Sequence, residues 1–246
     1  MFYEPTPAQR DAYKDLSICI LTPCGGYESP VRFMRSLVNM VAYSWMHGLK
    51  IYQMGNTERT VVDWARNDLA RIAKGRVNEY TGEKFTHLLW LDDDHVFNPD
   101  MALWLAQYAD KDMVSALYYG RCDQILPVAY VKDTSEEFKH FPIIDVPEQL
   151  CEVDAVGFGA LLMKRDVLDR VPEPWFTLDW RSGEDIAFCT AAKKHGVRVF
   201  VDGRYKIGHM GPRPIVKESE YKKYLEDNPQ ILDTKYRVNL SDQGGK

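Results

Sequence analysis

The sequence offers nothing on which a disulfide framework or a zinc knuckle could be built. Its five cysteines, Cys19, Cys24, Cys122, Cys151 and Cys189, are odd in number, scattered and free of any CxxC pair, so reduced thiols are expected. No apolar run approaches the roughly 20 residues that span a bilayer, and the opening MFYEPTPAQRDAYKD lacks the apolar core of a signal peptide. A soluble, cytoplasmic protein with no transmembrane segment is the expectation. An excess of basic residues is missing as well: 31 basic against 36 acidic residues leave a net charge of −5, a balance that tilts against a large nucleic-acid footprint and leaves a local basic groove open. The phosphate-binding patterns GxGxxG and GxxxxGK[ST] are absent, which removes the simple dinucleotide and P-loop readings. There is no internal repeat, no low-complexity tract and no linker sharp enough to mark a second domain.

What is present suits one large α/β domain. The chain has 246 residues, 45% hydrophobic and 27% charged, an ordinary balance for a protein with a sizeable core. Short β-branched runs at residues 16–22, 49–54, 86–91 and 113–117 predict strands. Helical patterns at 30–46, 58–73 and 99–108 lie between them. That alternation predicts a mostly parallel, doubly wound sheet with helices on both faces, whose ligands gather beyond the carboxyl ends of the strands. The second half is less regular, with strands expected at 128–132, 152–163 and 197–201 and helices at 165–171, 184–194 and 218–226.

Four polar segments carry candidate chemistry. The first is Asp92-Asp93-Asp94-His95, directly after the apolar run LLWL. Continued strand alternation would send Asp92 and Asp94 to one side and Asp93 to the other. Two carboxylates so placed suit a hard divalent cation bridging to a diphosphate; the plain alternative is an Asp-rich turn. The second is Gly183-Glu184-Asp185, opening a predicted helix. Acidic residues there satisfy the helix dipole, yet Asp185 can also serve as a general base. The third is His209 between Gly208 and Gly211, a possible nitrogen ligand; the other five histidines have no comparable setting. The fourth is Thr22-Pro23-Cys24-Gly25-Gly26 after the first strand, either a tight turn or a loop letting backbone approach a nucleobase or ribose.

In order and context these segments resemble the GT-A glycosyltransferases, particularly the inverting, family 2-like group, over roughly residues 16–211. The resemblance implies a single Rossmann-like GT-A domain over 1–246. A nucleotide-binding half would occupy about 16–117, an acceptor-binding half about 118–214 and a tail 215–246. Asp92-Asp93-Asp94 is similar to the family's DxD motif and Glu184-Asp185 to its ED motif. Asp154–Arg165, with Gly157 and Gly159, is similar to the glycine-bearing strand beside the donor sugar. Arg66, in Ala65-Arg66-Asn67, is similar to an Arg-Asn pair upstream of DxD and either faces the nucleotide or is a solvated helical arginine. No QxxRW-like motif of the processive synthases appears.

The function so implied is metal-dependent transfer of a sugar from a nucleoside diphosphate, with a UDP-sugar favoured, to an acceptor hydroxyl. Mn²⁺ or Mg²⁺ would be held by Asp92, Asp94 and His209. Thr22, Pro23, Gly25, Arg66, Asp92, Asp93, Gly157 and Gly159 would contact the nucleotide-sugar. Asp185 would be the base and Glu184 would orient the site. Trp175, Phe176 and Trp180 would stack on an acceptor or close the core. Glycan, protein, lipid-linked sugar and modified DNA base all stay open as acceptors, and so do the stereochemical outcome and the oligomeric state. Short GT-A chains without an anchor also occur in viral genomes, so a virus-encoded protein in host cytoplasm fits the same reading. A nucleotidyltransferase of similar fold and a non-catalytic nucleotide- or carbohydrate-binding module are the alternatives.

Overall fold

A computed structural model describes residues 2–58, 60–121, 124–133, 139–178, 182–211 and 215–233. The first half alternates as expected: α1 (Pro7–Tyr13), β1 (Ser17–Thr22), α2 (Val31–Met46), β2 (Lys50–Asn56), α3 (Val62–Gly75), β3 (His87–Leu91), β4 (His95–Val96), α4 (Met101–Ala106) and β5 (Met113–Leu117). There follow β6 (Ala129–Lys132), β7 (His140–Pro142), β8 (Leu150–Val153), β9 (Ala155–Val156), β10 (Ala160–Lys164), α5 (Val167–Arg170), α6 (Glu184–Lys194), β11 (Val199–Lys206), β12 (Gly208–His209) and α7 (Glu218–Asp227). A 3₁₀ turn, Pro229–Asp233, ends the described chain.

The main sheet has seven strands in the order β2-β1-β3-β10-β5-β11-β8. The pairs β1·β2, β1·β3 and β5·β11 are parallel. β10 runs antiparallel between β3 and β5, and β8 antiparallel on the edge beside β11. Residues alternate strictly between two cores. Cys19, Leu21, Leu88 and Trp90 face α3 and α6, whereas Ile18, Ile20, Leu89 and Leu91 face α1, α2 and α4. Helices therefore cover both faces of a mostly parallel sheet.

Local chemistry explains the ends of the elements. Thr6 and Gln9 cap α1 reciprocally, backbone to side chain, at 2.8 and 3.3 Å. α6 begins after Gly183, carries Glu184 and Asp185 in its first turn and Lys193 and Lys194 in its last, each matching the dipole. It stops at Gly196, whose φ of +74° needs a glycine.

Three expectations are corrected. The single strand anticipated at 152–163 is three short ones in different pairings: β8 joins the main-sheet edge, β9 pairs with β6, and β10 enters the sheet centre. Asp154 breaks the run by turning its amide to the Tyr130 carbonyl at 2.9 Å. The helix anticipated from residue 58 starts at Val62. Gly55 and Asn56 belong to β2, where a register shift between Ile20 and Leu21 absorbs an extra residue.

Among the described residues no helix is long and apolar enough to cross a membrane.

Candidate functional site

Because β10 runs antiparallel to β3, its start lies beside the end of β3: Ala160 pairs with Leu91, and the Asp92 amide donates to the Gly159 carbonyl at 3.2 Å. The glycine-bearing segment and the acidic turn are thus brought together by topology. Strand geometry ends at Leu91, and residues 92–94 form a turn closed by the His95 amide on the Asp92 carbonyl at 3.3 Å. The expected alternation therefore does not continue, and the three carboxylates diverge.

Asp92 turns to Arg66 of α3, whose Nη2 donates to both its oxygens at 2.9 and 3.1 Å. Arg66 Nε donates to Glu184 Oε1 at 3.0 Å. This guanidinium is buried against the rings of Trp90 and Phe158, 5.8 and 5.4 Å from their centroids, in cation–π contact. Burial opposes its charge, but the Asp92 and Glu184 carboxylates outweigh burial and raise its pKa. Arg66 is therefore no solvated helical arginine. Its Nη1 is buried without a hydrogen-bond partner.

Asp94 turns the other way, to two histidines on the paired strands β4 and β12. Its Oδ2 lies 2.6 Å from Arg121 Nη1 and 3.5 Å from His209 Nε2. Its Oδ1 comes within 2.9 Å of His95 Nδ1 but without hydrogen-bond alignment, so Asp94 Oδ1 and both ring nitrogens of His95 are buried without a partner. Burial pushes the Asp94 carboxyl up, yet contacts from His209 and His95 prevail and hold it well below the ordinary carboxylate range. The two imidazoles stack at 4.4 Å. His209 Nδ1 meets the Tyr119 carbonyl at 2.8 Å. A carbonyl oxygen only accepts, so this contact fixes a proton on Nδ1 and leaves Nε2 as the ring nitrogen that faces Asp94.

Ligand atoms of Asp94, His95 and His209 all lie within 4.8 Å of one another. One carboxylate, two imidazoles and orphaned buried donor atoms fit a small divalent cation. Asp92 stands apart from that group, on Arg66. His95, which sequence reasoning passed over, belongs to it; its signal was its position next to the acidic turn. Asp93 faces the Cys24 thiol; burial, then the charge of Asp94, raises its carboxyl.

Asp185 follows Glu184 in the first turn of α6, half-buried, its Oδ1 accepting the Ile186 amide at 2.8 Å. Burial, reinforced by the Glu184 charge and opposed by Arg66, pushes its carboxyl up to about 6. Tyr118, at the end of β5, stands between the two halves of the site. Its hydroxyl accepts the Gly159 amide at 3.2 Å, and its ring edge meets His95 at 4.5 Å. Burial raises this phenol well above its usual value, with Asp92 and Asp185 adding to the shift. Gly157 and Gly159 leave the room these side chains occupy: a Cβ at 157 would lie 2.0 Å from the Tyr118 hydroxyl, and one at 159 would lie 2.4 Å from His95 Cε1.

The first loop sits at the same sheet edge. Thr22 and Pro23 are buried and the Thr22 hydroxyl has no hydrogen-bond partner. Gly25 is exposed, and a Cβ there would meet nothing within 4 Å, so no neighbouring group calls for glycine. The expected acceptor aromatics are corrected. Trp175 is buried, with Nε1 donating to the Val171 carbonyl at 2.8 Å, and Phe176 stacks on Phe188. Both close the core, because Asn67 Oδ1 draws the 175 and 176 amides inward at 3.1 and 3.2 Å. Trp180 lies outside the described residues, as does Cys122.

No family model matches the chain, and no curated protein matches it in sequence. Solved structures do match in shape. A197 from STIV superposes with a TM-score of 0.54 at 18% identity, covering 83% of this chain and 91% of that one. GalNAc-T7 with UDP, GalNAc and Mn²⁺ superposes with a TM-score of 0.52 at 13% identity, covering 93% of this chain and 53% of that one. The chain has a GT-A-like fold. The present chain spans about half the length of GalNAc-T7, and at such identities the likeness concerns the fold alone.

Proposed function

We propose that the protein transfers a sugar from a nucleoside diphosphate sugar, with a UDP-sugar favoured, to an acceptor hydroxyl. The observation that carries this reading is the Arg66 bridge. It ties the acidic turn to the start of α6 and so brings Asp185 to the same sheet end as the Asp94, His95 and His209 group. The fold shared with a structure holding UDP, GalNAc and Mn²⁺ supports it further.

Asp94 and His209, joined by His95, would hold the cation. A bound Mn²⁺ or Mg²⁺ supplies charge neutralisation for the departing diphosphate. Asp92, kept in one orientation by two hydrogen bonds from Arg66, is assigned to the nucleotide-sugar. Asp185 takes the acceptor proton as the acceptor oxygen bonds the anomeric carbon and the bond to the diphosphate oxygen breaks. A carboxyl raised to about 6 suits a general base near neutral pH. Glu184 orients the site by holding Arg66 rather than by touching substrate.

Thermal unfolding with UDP, GDP, CDP or ADP, with and without Mn²⁺, tests this. At about 100 times its dissociation constant a ligand adds roughly 2.7 kcal/mol of stability. Stabilisation by one nucleotide only with Mn²⁺, abolished in Asp94→Asn, is the expected result. No response to any nucleotide, or an unchanged Asp94→Asn response, contradicts it.

A further inference from the structure

Arg121 has no part in the roles assigned above, yet it makes the shortest contact to the Asp94 carboxylate among the described residues. It follows β5, and its Nη1 lies 2.6 Å from Asp94 Oδ2 while donating to the Met210 carbonyl at 2.8 Å. The Met210 amide donates in turn to the Asp94 carbonyl at 2.7 Å. One guanidinium thus joins the segment after β5, the acidic turn and the end of β12. Its stem packs against Gly211, where a Cβ would come within 3.2 Å of Arg121 Cδ. The side chain is nonetheless 40% exposed, so it can leave without opening the core.

These contacts set up a competition for one oxygen. Asp94 Oδ2 faces both the Arg121 guanidinium and His209 Nε2. While the guanidinium stands there, the carboxylate charge is already matched and a second positive charge is repelled. A guanidinium is also a fork shaped for phosphate oxygens. A nucleoside diphosphate arriving at this sheet end offers Arg121 an anion to exchange for the carboxylate.

We infer that Arg121 is an internal counter-cation: it holds the Asp94 group against divalent cations until a nucleoside diphosphate draws the guanidinium away. The role rests on the sugar-transfer reading of the same site. It makes Arg121 a positioning residue, and it couples the two ligands, since whatever releases the guanidinium for one favours the other by the same factor.

The test is a Mn²⁺ titration of the full chain, followed by the electron paramagnetic resonance signal of free Mn²⁺. It is run with and without UDP and corrected by a protein-free titration of Mn²⁺ into UDP. Wild type is compared with Arg121→Met, which keeps the stem, and Arg121→Lys, which keeps the charge. Without UDP, Arg121→Met should bind Mn²⁺ about ten-fold more tightly than wild type, within the usual range of such couplings. UDP should tighten Mn²⁺ binding about ten-fold more in wild type than in Arg121→Met, where only the direct contact of cation and diphosphate couples the two, with Arg121→Lys between them. Equal or weaker Mn²⁺ binding by Arg121→Met, or a UDP effect undiminished in it, overturns the inference and leaves the cation site standing. Mn²⁺ left free by wild type and both variants, with and without UDP, overturns the cation site as well.

Discussion

Arg66 and Glu184 are 118 positions apart in the chain and form a buried ion pair, Nε to Oε1 at 3.0 Å. The same guanidinium holds Asp92, so one side chain sets the spacing between the acidic turn and α6. Removing one partner from a buried pair typically costs about 3–5 kcal/mol, because the other charge is left uncompensated. Arg66→Met should therefore lower unfolding free energy by about that amount in a urea titration. A loss below about 1 kcal/mol, the worth of a surface pair, would show that the bridge does not organise the site.

The Asp185 carboxyl is raised from 3.8 to about 6 by burial and by Glu184. The folded state thus binds this proton more tightly than the unfolded state does. The resulting stability is fully present below pH 3.8 and is lost as pH rises to about 6. Asp185→Asn should consequently stabilise the protein at neutral pH, by on the order of 2–3 kcal/mol, and have little effect near pH 3. Turnover should behave in the opposite sense, rising through about pH 6 as the base ionises. Stability curves of the two proteins that run parallel from pH 3 to 8 would contradict this assignment.

The two glycines before β10 should separate. A Cβ at Gly159 meets the His95 ring, whereas one at Gly157 meets the Tyr118 hydroxyl and Val128 Cγ1 at 2.8 Å. Overpacking of this kind costs about 1–3 kcal/mol, so both alanine variants should unfold earlier. Gly159→Ala should also weaken Mn²⁺ binding by displacing His95, and Gly157→Ala should do so much less. Calorimetric Mn²⁺ titration of the two variants checks this, and equal affinities would remove His95 from the cation group.

His209 owes its orientation to a backbone acceptor, the Tyr119 carbonyl. His209→Ala should abolish the Mn²⁺-dependent part of any UDP stabilisation; the protein without ligands should also melt earlier, since the side chain is only 13% exposed and stacks on His95. Retained Mn²⁺ dependence would place the cation elsewhere.

Much of this could be read from the chain because its signals are local. The first four strands of the main sheet, the start of α6 at Glu184 and its stop at Gly196 follow from apolar runs, dipole charges and one glycine. What could not be read depends on pairings distant in sequence. Nothing in residues 152–163 says that β10 enters the sheet between β3 and β5, yet that insertion carries Gly159 to Asp92. His95 gains significance only through its register partner His209, and Arg121 only through Asp94. Trp175 misled because an aromatic loop looks alike whether its rings face solvent or are drawn inward by Asn67.

The most direct test of sugar transfer is ³¹P NMR of UDP-hexoses incubated with the protein and Mn²⁺, water serving as acceptor where no better one is known. Slow growth of UDP resonances is the predicted result, dependent on Mn²⁺ and lost in Asp94→Asn and Asp185→Asn. The appearance of hexose 1-phosphate, the product of attack at phosphorus, or donors that stay intact while UDP binds, would contradict it.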